Sequence, residues 1–251
     1  MAGEGKYIYC ITEADRGETF GPLGIGGRGD QLRAIHYQDI GAVVSDAAIR
    51  RYPVSRENSL AHERAIEAVF KGRTVLPVRF CTIAEDEARV RAILEREYTR
   101  FKDLLERMRG KVELGLKAIF HEELIYQDIL GGYEEIRRGK AAVAAMPPQE
   151  AHWRLVEIGR MVEAALEVEK ARVREEILEA LRGACHDFRL THRILGERMI
   201  MNAAFLVDRA QEAEFDRRMG GLAERYGERV RLKYVGGFPP FNFVCLTITL
   251  E

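Results

Sequence analysis

The chain switches repeatedly between two hydrophobic periods, and the switches outline its elements. Tyr7 to Ile11 is a short β-rich run that predicts a first strand. A glycine-rich stretch, Gly17 to Gly29, separates it from two further strands, Leu32 to His36 and Ile40 to Ser45, joined by a tight turn at Gln38-Asp39. Ser59 to Lys71 reads as a helix opened by Asn58 or Ser59 and closed by Gly72. Thr74 to Phe80 returns to the strand pattern, and Pro77 removes a ladder donor there, which predicts an edge strand or a bulge. Val90, Leu94, Phe101, Leu105 and Met108 recur at helical spacing, predicting one helix over Glu85 to Arg109 that Gly110 ends.

From Lys111 the pattern changes again. Val112, Leu114, Leu116, Ala118 and Phe120 alternate with Lys111, Glu113 and Lys117, as in a strand with one wet face. Residues 121–149 read as a helical excursion, with Gly131-Gly132, a short charged helix, an alanine run and Met146-Pro147-Pro148. A long helix follows, Glu150 to Leu181, with Leu155, Ile158, Val162, Leu166, Val173, Ile177 and Leu181 on one stripe. Two strands (His186 to His192, Met199 to Val207) lead to a helix ending at Tyr226, for which Asp208 and Gln211 have capping-box spacing. Arg229 to Val235 is a last alternating strand, with Val230, Leu232 and Tyr234 inward. The order strand, helix, strand, strand, helix, strand is that of a ferredoxin-like unit. The reading is therefore α+β in two domains: a small N-terminal α+β domain, 1–110, and a ferredoxin-like C-terminal domain, 111–251.

Composition narrows the function classes. At 251 residues, 47% hydrophobic, 31% charged and net charge -1, the chain offers no general attraction to nucleic acid or to an anionic membrane. No apolar run approaches the ~20 residues that span a bilayer, and MAGEGKYIYC lacks the regions of a secretion signal. Cys10, Cys81, Cys185 and Cys245 form no C-x-x-C pair and each sits in an apolar run, which predicts buried, reduced thiols in a cytoplasmic protein.

Candidate chemistry is thin. Gly24, Gly26 and Gly29 satisfy G-x-G-x-x-G, but a strand pattern rather than a helix follows them, so a surface loop is the better reading. The RGD at Arg28 to Asp30 reads as chance. His62-Glu63 lacks the second histidine of a zinc protease motif. His186 and His192 would share a strand face without a convincing third metal ligand. Cys81 could act as a nucleophile only with a base, for which His62 is the one candidate nearby. No catalytic, cofactor or metal residues are expected. Two proline-bearing apolar phrases stand out instead: TVLPVRFCT and GGFPPFNFV. In the second, Pro239 and Pro240 stiffen the spacing between Phe238 and Phe241, so the segment either caps a core or offers two aromatic anchors.

With YIYCI, AHERAIEAVF and KVELGLK, these two phrases resemble, in order and rough separation, the gas vesicle protein L/F family over nearly the whole chain. The resemblance implies a non-enzymatic gas vesicle accessory. Its partners would be the main hydrophobic shell protein and other accessory proteins, and it would keep shell subunits from aggregating. Phe238, Pro239, Pro240 and Phe241 are then candidate partner contacts, while His62, Leu76, Pro77, Arg79 and Phe80 are family-marking and structural. The chain has Cys81 where the family commonly has glycine, and Phe238 and Phe241 where it has tryptophan and tyrosine. An enzyme or ligand-sensing module on the same fold is the alternative.

Overall fold

The computed structural model describes residues 3–14, 18–191 and 196–249, and of residues 148–149 the backbone only. Gly17 and His192, both named above, lie outside them. Among the described residues the fold is mixed α/β with two sheets and seven helices. None of the described helices is long and apolar enough to cross a membrane.

The chain divides into two compact units, Met1–Glu113 with Gly237–Glu251, and Leu114–Gly236. The stretch after Gly236, expected with the second domain, thus belongs to the first unit.

In the first unit, β1 (Glu4–Glu13), β2 (Thr19–Gly21), β3 (Leu32–Tyr37), β4 (Ile40–Ala48) and β5 (Val75–Pro77) lie in the order β2-β3-β4-β1-β5. The short β6 (Ile83–Ala84) also pairs with β1. Pro77 sits in the terminal strand of that order, where its missing N–H breaks no ladder. Because β4 holds the other edge of β1, β5 and β6 share one edge, and residues 78–82 arch between them. A register shift between Ile8 and Cys10 marks a bulge in β1. It resets the alternation, so that Ile8 and Ile11, three apart, enter the same hydrophobic cluster.

That cluster is covered by α2 (Glu87–Arg96) and α3 (Tyr98–Met108), through Val90, Ile93, Leu94, Phe101 and Leu105. The single helix expected over Glu85 to Arg109 is therefore two. The break is at Glu97, φ -100° and ψ 10°, whose N–H still bonds the Ile93 carbonyl while its carboxylate pairs with Arg96 and Arg100. The apolar stripe runs through such a joint unchanged, so periodicity alone does not reveal it. The opposite sheet face is covered by α1 (Arg56–Phe70), which starts three residues before the expected Ser59. Ser55 is its cap, its Oγ accepting from Asn58 N–H at 3.2 Å.

In the second unit, β7 (Lys111–Phe120), β8 (Asp187–Leu190), β9 (Met199–Asp208) and β10 (Val230–Phe238) lie in the order β10-β7-β9-β8. β7 enters from, and β10 returns to, the residues of the first unit. Phe205 of β9 meets Phe215 of α7 (Glu212–Tyr226) at 5.2 Å, and Phe215 stacks on Tyr234 at 5.8 Å. No side-chain cap bond from Asp208 opens that helix; a 3₁₀ turn, Arg209–Gln211, leads into it instead. The excursion is two helices, α4 (Glu122–Gly132) and α5 (Glu134–Val143), before α6 (Pro148–Arg182).

The 35 residues of α6 extend about 50 Å, whereas the ten of β9 extend about 33 Å. The helix overshoots the sheet. Leu166, Val173, Ile177 and Leu181 are buried as their spacing predicts, but Leu155 near the overhanging end is 53% exposed and Trp153 77%.

Candidate functional site

The residues that the sequence singles out gather in the first unit around a buried polar chain. Cys81 N–H donates to the Tyr7 hydroxyl at 2.8 Å, and Tyr7 Oη lies 3.2 Å from His62 Nδ1. His62 Nε2 lies 3.0 Å from the Val78 carbonyl, which can only accept. The proton must therefore be on Nε2, leaving Nδ1 to accept from Tyr7. Every group in the chain is satisfied only while the imidazole is neutral. Burial lowers its pKa from 6.5 to about 4, and raises that of Tyr7, so both stay uncharged near neutrality. His62 is stacked on Tyr9 at 5.7 Å and meets Phe80 edge-on at 5.6 Å. Tyr9 Oη in turn pairs with Ser45 Oγ at 2.9 Å and accepts from Ile25 N–H at 2.7 Å.

Of the expected structural residues, His62, Leu76 and Pro77 are buried, Phe80 is half-buried and Arg79 is exposed. Leu76 joins the α2–α3 cluster, while Phe80 faces the His62 side, because the strand stops at Pro77 and the arch does not keep its alternation. Among the described residues no carboxylate or carbonyl group pairs with the Arg79 side chain. Those residues contain no group of three or more His, Cys, Asp or Glu suited to a metal ion.

Cys81 sits in the same arch with φ +65°, a left-handed conformation that favours glycine. Its side chain gains two weak sulfur contacts, Sγ accepting from Tyr52 N–H at 3.3 Å and lying 3.9 Å from the Arg50 carbonyl. Cys81→Gly should therefore raise stability by about 1 kcal/mol, and Cys81→Val should lower it by about 1–2 kcal/mol. Urea midpoints check this, and identical midpoints for Cys and Gly would show that the position is unstrained. Of the four cysteines only Cys10 is buried, contrary to expectation. Cys245 is exposed because it alternates with buried Val244 and Leu246.

The second proline phrase returns to this same unit. Pro239 and Pro240 are buried, Phe238 and Phe241 half-buried. A turn follows, in which Phe241 N–H bonds the Pro239 carbonyl at 2.7 Å and Val244 N–H the Pro240 carbonyl at 2.9 Å. Glu113, assigned to a wet strand face by its alternation, is only 6% exposed. Its carboxylate accepts from both Asn242 N–H, at 2.7 Å, and Asn242 Nδ2. Beyond the turn the chain runs beside the first phrase. Leu246 N–H donates to the Pro77 carbonyl at 2.8 Å, Arg79 N–H to the Leu246 carbonyl at 2.9 Å, and Val78 and Leu246 form a parallel bridge. Leu246, two residues beyond the second phrase, is thus hydrogen-bonded to the first, and Val244 of the second phrase shares a buried cluster with Leu76 and Val78. Glu113 and Leu246 are the members sequence reasoning missed; the regular apolar spacing of Val244, Leu246 and Ile248 was the available signal.

Comparison with known proteins gives a consistent set. A family model described as gas vesicle synthesis protein GvpL/GvpF matches residues 5–245. Gas vesicle protein F of Streptomyces sp. (strain CB03234) is 28% identical over 241 residues, 95% of this chain and 98% of that protein. Gas vesicle protein L of the same strain is 26% identical over 258 residues, covering 95% and 92%. The crystal structure of gas vesicle protein GvpF from Anabaena sp. PCC7120 superposes with a TM-score of 0.82 over 98% of this chain and all (100%) of that one, at 21% identity. That of GvpF from Microcystis aeruginosa gives 0.73, at 22% identity and 95% and 98% coverage. At these identities the two structures speak for the fold.

Proposed function

Because the chain belongs to the gas vesicle synthesis protein GvpL/GvpF family, we propose that it is a non-enzymatic gas vesicle accessory that binds the main hydrophobic shell protein and keeps its subunits from aggregating before they assemble. The observation that carries this reading is the family match from residue 5 to residue 245, which takes in both proline phrases. The polar chain supports a structural rather than catalytic role for them. Its histidine and tyrosine are buried, neutral and committed to one another, which leaves no base free to activate Cys81. The protein would act in the cytoplasm at the vesicle, without cofactor or metal, and with other accessory proteins as further partners.

We read the second unit as ferredoxin-like. Numbered within the unit, its sheet order is 4-1-3-2, with β8 and β9 antiparallel, and α4 and α5 are an insertion before the first helix of the pattern. Phe238 and Phe241 remain our candidate contacts: half-buried aromatics on either side of two buried prolines lose little entropy on docking. Co-expression with the main shell protein should yield a soluble complex without added nucleotide or metal. Phe238→Ala/Phe241→Ala should weaken it at least ~10-fold while the isolated protein stays folded. Absence of wild-type association in pull-down would sink the functional reading. An unfolded double variant would make the phrase core and end its candidacy as a contact.

A further inference from the structure

The loop from β4 into α1, residues 49–55, carries a surface that neither the fold nor the vesicle reading uses. Arg50, Arg51 and Arg56 stand exposed on it and at the helix start, and Arg79 is exposed in the arch that touches the loop through Cys81. Among the described residues none of these four makes an ion pair, whereas Arg28, Arg33, Arg73 and Arg91 of the same unit each do. Arg50 lies instead over the Tyr52 ring, 5.1 Å from its centre. Glu57, the carboxylate next in sequence to Arg56, is exposed and pairs with none of them. In the midst of the charges Val54 is 85% exposed and Ile49 42%.

The loop is held in place. Tyr52 is buried, edge-on to Tyr7 at 5.9 Å, and its N–H meets Cys81 Sγ. The Pro53 carbonyl accepts from Ser55 N–H at 2.9 Å and from Asn58 Nδ2 at 3.0 Å. The backbone beneath the apolar tip and its flanking cations is therefore already ordered, so that chiefly the arginine side chains remain to be fixed on binding.

We infer that this face docks an acidic protein segment bearing an apolar side chain, with the arginine forks taking carboxylates and Val54 covering the apolar group. Unpaired guanidinium groups match carboxylates in a bidentate manner. A nucleic acid backbone, which binds through its phosphates, would gain nothing from an exposed valine. The inference does not depend on the shell protein being the partner.

The test uses the full chain and fluorescein-labelled Glu-rich peptides, with and without leucines, followed by anisotropy. A single-stranded oligonucleotide and phosphatidylserine vesicles serve as competing polyanions. Leucine-bearing peptides should bind best and lose affinity with salt. Arg50→Glu/Arg51→Glu/Arg56→Glu should weaken them at least ~10-fold, Arg79→Glu and Val54→Ser each severalfold, with circular dichroism unchanged since all five sites are exposed. The proposal is overturned if no peptide binds, if charge reversal or Val54→Ser has no effect, or if the oligonucleotide or vesicles bind more tightly than the peptides.

Discussion

Replacing Leu246 with alanine should cost the first unit about 2–5 kcal/mol, and replacing Val244 as well should leave it largely unfolded at 25 °C. Both side chains are buried in the cluster with Leu76, Val78, Ile93, Leu94 and Phe101, so truncation opens a cavity in the middle of that core. The effect should be confined. Tyr7, Tyr9, Tyr37, Tyr52 and Tyr98 all lie in the first unit, while the single tryptophan, Trp153, lies in the second. The part of the tyrosine near-ultraviolet circular dichroism that comes from these five should be lost in the variant, while the part from Tyr126, Tyr133, Tyr226 and Tyr234 and the helical signal of the second unit persist. A loss within ~0.5 kcal/mol would mean that the segment rests on the surface of the unit.

Acid should unlock the same unit through His62. Its folded pKa of about 4 lies below the ordinary 6.5, so the unfolded chain takes up the proton more readily than the folded one. The stability contributed by the neutral ring is then complete above pH 6.5. It is lost progressively as pH falls to about 4, by roughly 3 kcal/mol over that window. His62→Gln keeps an acceptor for Tyr7 and a donor for the Val78 carbonyl but cannot titrate. It should cost about 1–2 kcal/mol at pH 7 and flatten the pH dependence between 6.5 and 4. Asp39 and Asp46, whose carboxyls are held low by hydrogen bonds to Lys102 and Lys6, respond to acid in both proteins and cancel in the comparison. Parallel pH profiles for wild type and His62→Gln would show that the ring is not the titrating group.

The local periods were enough to find the longer strands and helices, but not the short β2 and β6 nor the breaks between α2 and α3 and between α4 and α5. β7 begins and ends where alternation places it, and Val112, Leu114, Leu116, Ala118 and Phe120 are all buried. The buried contacts that escaped had a long-range cause. Nothing near Glu113 marks it as buried, because the donors that justify its burial belong to Asn242. The partner of Pro77 and Arg79 is Leu246, which is invisible to any window moved along the chain. Leu155 fails in the opposite sense: its helical spacing is right, but α6 outruns the sheet that would cover it. For the site, sequence named His62 and both proline phrases but not their meeting, which is a property of topology rather than of pattern.

Because Gly237–Glu251 belongs with Met1–Glu113, synthesis and folding fall out of step. The first strands to leave the ribosome lack Val244 and Leu246 until the whole of Leu114–Gly236 has been made. At ordinary elongation rates that is a delay on the order of ten seconds, against a hydrophobic collapse of microseconds. During the delay the edge of β5 and the cluster behind it are open to water and to other nascent chains. Slower translation between β7 and β10 should therefore raise the demand for chaperones in the order the chain dictates: the half made first is the half that closes last.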